Sequence, residues 1–226
     1  MRTIFSFLAF AVLLGSCEKA DLKKPVKVNF AFDLNKNFEP QAAVKLTTGT
    51  INIENFNIIG DRVEGEDINF NRVFNEGLNI DVNNSGEIDE LNFDLPQGDY
   101  VSADLKFNLA DKNTNLAMSL EGTYKQNQGP IVKLIFELSG SQEFFITGEG
   151  KQGESTISMK ESEGEKVEIE LDPIYWFEDI SASDWDNAVV TPAQGQDYIL
   201  VNKDNNQTIY NQVLARINES NRAIFD

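Results

Sequence analysis

The side chains that ordinarily do chemistry are sparse in this chain of 226 residues, which has no histidine and a single cysteine, Cys17. Without histidine there is no Ser-His-Asp or Cys-His nucleophile system and no His-dependent zinc or iron site. The one Ser-x-x-Lys spacing, Ser16 to Lys19, falls across an expected cleavage point and carries no catalytic meaning. Gly148-Glu149-Gly150-Lys151-Gln152-Gly153 spells Gly-x-Gly-x-x-Gly. A dinucleotide site needs that turn to feed the N-terminus of a helix. Here the β-formers Ser155-Thr156-Ile157-Ser158 follow, and Glu149 would face the phosphates, so the preferred reading is a hairpin loop and no cofactor is expected. Carboxylates for acid–base work cluster at Asp61, Glu64, Glu66 and Asp67, and again at Glu161, Glu163 and Glu165. Both clusters lie in glycine-containing loop sequence, where a solvated acidic tip is the ordinary explanation.

Two constellations could bind rather than react. Asp81-Val82-Asn83-Asn84-Ser85-Gly86-Glu87-Ile88-Asp89 places oxygen donors where the first nine positions of an EF-hand calcium loop need them. Asp81, Asn83, Ser85 and Asp89 would be the ligands, and Gly86 the obligatory turn residue. The twelfth position, normally a bidentate Glu, is Asn92, and the flanks alternate like strands. An Asn-rich turn accounts for the segment without metal, and none is expected. Tyr175, Trp176 and Trp185 could stack on sugar rings, although the apolar residues beside them favour packing into a core.

The N-terminus predicts an address. After Met1-Arg2-Thr3, an apolar run from Ile4 to Leu14 is broken only by Ser6. It is too short to span a bilayer as a helix, which takes about 20 apolar residues, and fits the apolar core of a secretory signal of about 7–15. It ends in Leu14-Gly15-Ser16-Cys17, which resembles the lipobox read by lipoprotein signal peptidase. The resemblance implies that residues 1–16 are a signal peptide, that Cys17 is lipidated, and that residues 17–25 tether the lipid to a folded part. The expected partner is the lipid bilayer, reached through acylated Cys17. The charged stretch after Cys17 also resembles the region that steers some Bacteroidota-type lipoproteins to the cell surface. The implied location is the cell envelope at the outer membrane, with a lean toward surface exposure.

The folded part must be mainly β. Alternating apolar side chains mark strong strands at Val26–Leu34, Ser102–Leu109, Leu116–Glu121, Ile131–Leu138 and Val167–Leu171. Weaker runs fall at 44–47, 50–59, 68–74, 78–82, 88–95, 143–147 and 155–159. Asn83-Asn84-Ser85-Gly86, Pro96-Gln97-Gly98-Asp99 and Glu163-Gly164-Glu165 separate such runs and read as hairpin turns. The pattern changes after Asp172-Pro173. Ile174-Tyr175-Trp176-Phe177 is an aromatic knot, Ser181–Trp185 starts a short helix, and Ile209, Tyr210, Val213, Leu214 and Ile217 recur at helical spacing behind an Asn205 or Asn206 cap. The expected architecture is all-β: an antiparallel β-sandwich over 26–172, with residues 173–226 forming an aromatic segment and a C-terminal α-helical segment packed on it.

Leu91-Asn92-Phe93-Asp94-Leu95-Pro96-Gln97-Gly98-Asp99-Tyr100, with its Pro-x-Gly-x-Tyr turn, and the earlier Leu46–Ile53 run resemble elements of uncharacterised Bacteroidota-type β-sandwich lipoproteins. That resemblance implies the fold and no activity. The balance of 19 basic against 37 acidic residues gives a net charge of −18, which repels phosphate backbones and excludes nucleic acid as an expected partner. The expectation is a membrane-anchored, non-enzymatic binding or structural module for an unidentified protein or glycan. A glycan-binding accessory protein and a carboxylate-based hydrolase are the alternatives.

Overall fold

The computed structural model describes residues 22, 24–40, 42–83, 86–126, 129–151, 154, 156–160 and 165–226. Cys17, the expected signal peptide and most of the expected tether lie outside these residues. The described chain is mostly β, with 56% in strands and 14% helical. The strands in chain order are β1 (Pro25–Leu34), β2 (Val44–Arg62), β3 (Ile68–Asp81), β4 (Phe93–Pro96), β5 (Gly98–Ala110), β6 (Met118–Lys125), β7 (Ile131–Leu138), β8 (Ser141–Gly150), β9 (Ile157–Met159) and β10 (Glu165–Leu171). Then come α1 (Pro173–Glu178), α2 (Ala182–Asp186), β11 (Val190–Thr191), β12 (Tyr198–Val201), α3 (Gln207–Arg216) and β13 (Arg222–Phe225).

One continuous sheet runs β11-β12-β7-β6-β2-β5-β8-β13-β10-β1-β4, with β3 on β2 and β9 on β5. It curls on itself, so that the wall carrying β1 faces the wall carrying β2 and β5. Alternation drives the curl: Val26, Val28, Phe30, Phe32 and Leu34 of β1 are buried, as are Ala103, Leu105, Phe107 and Leu109 of β5. Their rings meet across the interior. Phe30 meets Phe56 at 5.1 Å, Phe32 meets Phe107 at 5.3 Å, and Phe107 stacks on Phe144 at 5.0 Å.

The antiparallel expectation needs correction, because the sheet is mixed. β1 with β10, β7 with β12, and β8 with β13 are parallel. Two of these pairs arise because residues 173–226 supply strands as well as helices. After α1 and α2 the chain returns along β7 as β12. After α3 it inserts β13 between β8 and β10. The expected hairpins also differ. β3 pairs with β2 while β4 pairs with β1; β5 pairs with β2; β9 pairs with β5 while β10 pairs with β1. Each connecting segment therefore crosses from one wall to the other. At Pro96–Tyr100 the crossing is fixed by Gly98, whose φ of +144° suits glycine, and by the Tyr100 hydroxyl, which donates to the Pro96 carbonyl. Burial pushes the Tyr100 phenol up to about 12, with nearby Arg62 pulling the other way.

The 19-residue β2 belongs to both regions of the molecule. Its start pairs with β6 and its end with β5, and register shifts at Leu46/Thr48, Ile53/Asn55 and Asp61/Arg62 let it bend between them. The bulge at Glu54 moves the buried set from Ile51 and Ile53 to Phe56 and Ile58. Opposite the first bulge, Gly122 of β6 approaches Lys45 so closely that a Cβ would collide with its carbonyl.

Candidate functional site

The helices sit on the outer strands β6, β7 and β12, and their attachment builds a cavity. α1 starts with Asp172 as N-cap, accepting from the Tyr175 N–H at 3.3 Å, and with Pro173 in its first turn. α2 starts with Ser181, whose hydroxyl accepts from the Asp184 N–H at 3.1 Å. The Asp184 carboxylate accepts from the Ser181 hydroxyl at 2.8 Å and from Gln212 of α3 at 3.1 Å, and these hydrogen bonds, Ser181's first, lower its pKa. Arg216 of α3 caps the other side, lying over the Tyr175 ring at 4.0 Å and pairing with Asp179 at 2.6 Å. α3 itself buries Ile209, Tyr210 and Val213, as its spacing predicts. Its cap differs from the expected form: Asn206 is left-handed, and its side chain holds Val189 and Leu200 instead of the helix.

Between α1, α2, the end of β6 and the β1–β2 loop lies a cavity of about 760 Å³. Ile174, Phe177, Ile180 and Trp185 line it from the helices, Phe38 and Ala42 from the loop, and Val44 and Tyr124 from the sheet. Trp185 stacks on Tyr124 at 4.5 Å with an interplanar angle of 17°, and lies nearly parallel to Phe177 at 6.2 Å. The polar lining is Glu39, Lys125, Gln126 and Glu178. Burial, then the charge of Asp186, push the Tyr124 phenol upward. The volume is within the range of small-molecule sites, about 300–1,000 Å³.

The three candidate stacking residues have three fates. Trp176 is fully buried, with Phe144 at 6.4 Å, and so has no ring face for a ligand. Tyr175 is half-buried with Arg216 over its ring. Only Trp185, 6% exposed, lines the cavity. The sequence reading missed Tyr124, Phe177 and the loop residues. Tyr124 falls at the end of an alternating strand, where nothing in the spacing marks it as site rather than core.

The calcium candidate is dispersed. Asp81 ends β3 and accepts from both the Asn83 backbone and side-chain N–H groups, at 2.9 and 2.6 Å. Asp89 opens a separate 3-10 turn at Asp89–Leu91. Ser85 lies outside the described residues. Among the described residues no group of three or more potential ligands is arranged for a metal ion. Gly148 and Gly150 belong to β8, with the Phe225 ring against Gly148, and Gly153 lies outside the described residues. In the first acidic loop, Asp67 accepts from the Arg62 N–H at 3.0 Å and Asp61 from Ser102 at 3.3 Å. Glu161 and Glu163 lie outside the described residues, and Glu165 is buried in β10. Glu170, opposite Asp33 and beside Arg222 in register, is raised chiefly by burial.

The N-terminal end of the described chain is held at the Arg62 end of β2. The Arg62 guanidinium donates to the carbonyls of Leu22 at 2.7 Å and Gln97 at 2.8 Å. Arg62 ends the strand whose first residue, Val44, lines the cavity. No helix among the described residues is long and apolar enough to cross a membrane. Comparison of the chain with protein families, curated proteins and solved structures finds no match.

Proposed function

We propose that this chain is a lipid-anchored protein of the cell envelope whose folded part is a non-enzymatic binding module, with the cavity beside Trp185 as its binding site. The cavity carries the binding part of this reading: about 760 Å³ is left open beside an aromatic wall, whereas the phenylalanine rings around Phe56 are buried between facing walls. Leu14-Gly15-Ser16-Cys17 carries the anchoring part. The two parts fit together spatially. Leu22 and Lys24 join the fold at the Arg62 end of β2 and the cavity opens near the Val44 end, so an anchored molecule would present the cavity away from the bilayer. In this reading the facing walls act as a sandwich-like frame, and the Tyr100–Pro96 contact is its tyrosine corner.

The glycan alternative loses support from Trp176, which is buried, and from Tyr175, whose ring lies under Arg216. Two measurements test the proposal. Cys17→Ser should move the protein from the detergent phase to the aqueous phase; unchanged partitioning would remove the anchor. Nile red, a neutral apolar dye, should bind the purified folded part saturably with one site per chain. An emission that rises without saturation would remove the binding site.

A further inference from the structure

Resting on the cavity reading above, we infer that the occupant is an amphiphile with a flat apolar body and a positively charged head, an organic ammonium rather than a fatty acid or other anion. The apolar body follows from the walls. Trp185, Phe177 and Tyr124 present nearly parallel rings, and Val44, Ile174 and Ile180 complete an apolar surface.

The head group follows from the charges beside those walls. Glu39 and Glu178 line the cavity, and Asp186 adjoins Trp185 in sequence and bears electrostatically on the Tyr124 phenol. Glu178 shares Arg216 with Asp179 and lies 3.6 Å from it, against 2.6 Å for Asp179, so Arg216 pairs more closely with Asp179. Lys125 is the one basic side chain among the residues lining the cavity. The chain as a whole carries a net charge of −18, which concentrates cations and depletes anions near its surface.

The test uses three ligands sharing one body: phenylbutylammonium, phenylbutanol and phenylbutyrate, titrated calorimetrically into the lipid-free Cys17→Ser protein at low and high ionic strength. A carboxylate about 6 Å from the head group in water changes affinity about threefold, so with partial cancellation by Lys125 the ammonium should bind about tenfold more tightly than the carboxylate. Added salt should narrow that gap. The double variant Glu39→Gln, Glu178→Gln should narrow it too, by weakening phenylbutylammonium and strengthening phenylbutyrate. Equal affinity for all three ligands, or tighter binding of phenylbutyrate, would overturn the cationic assignment and leave the cavity as a binding site. Binding of none of the three would overturn both.

Discussion

The two halves of β2 lead into regions built on opposite principles. From Phe56 onward the strand faces an interior filled by phenylalanine rings, with Phe30, Phe32, Phe93 and Phe107 all within 6.5 Å of Phe56 between centroids. Around Val44 the same strand borders the open cavity, which two short helices, α1 and α2, line from the other side. The first region uses large rings to leave no space between its walls. The second uses large rings to line a space. Aromatic content alone therefore does not separate a core from a site; what separates them is whether a facing wall is present. β1 provides that wall for Phe56, whereas only a loop and two short helices face Tyr124.

Truncations on the two sides should separate sharply. Phe56→Ala removes a fully buried ring from the filled interior and should destabilise the fold by about 3–5 kcal/mol, read as a fall in the denaturant midpoint. Trp185→Ala removes a ring that already borders open space, so less packing is lost and a smaller cost, about 2–3 kcal/mol, is expected. A larger loss at Trp185 than at Phe56 would break the contrast. Tyr100→Phe leaves the Pro96 carbonyl without its partner at the crossing between walls and should cost about 1–2 kcal/mol while leaving cavity binding unchanged.

The smallest effect is a pH dependence in the β1–β10–β13 wall. Burial raises the Glu170 carboxyl above its ordinary value of 4.5, so the folded state holds its proton more tightly than the unfolded chain does. The associated stability is fully present below that ordinary value and is lost as pH rises through the raised one. Glu170→Gln should therefore raise the melting temperature slightly at neutral pH, with the gain disappearing toward pH 4 and below. A gain of equal size at both pH values would show that protonation is not its cause.

Much of the frame was legible in the sequence, because strict alternation leaves few choices for β1, β5, β7 and β10. What stayed hidden was long-range. β2 reads as two weak runs, 44–47 and 50–59, because its bulges change which residues face inward. β3 reads as 68–74 and 78–82 because residues between Val73 and Leu78 bulge out opposite Glu54. Asn83–Gly86 and Pro96–Asp99 carry turn chemistry, but turn residues do not specify whether the flanking strands pair with one another or with opposite walls. The parallel strands of residues 173–226 are short, and four residues such as Tyr198–Val201 show too little periodicity to announce themselves. At the site, Trp185 was legible as an aromatic of interest. Tyr124 and Phe38 were not, since only the tertiary fold brings β6 and the β1–β2 loop against α2.

The claim that the filled region holds the molecule together while the open one receives a ligand is tested most directly by filling the cavity. Ala42→Trp combined with Ala182→Trp places two bulky side chains on its lining without touching the phenylalanine interior. Nile red titration and thermal unfolding of this double variant should show dye binding abolished, with the unfolding midpoint unchanged or slightly raised. Dye binding retained at wild-type affinity would contradict the account.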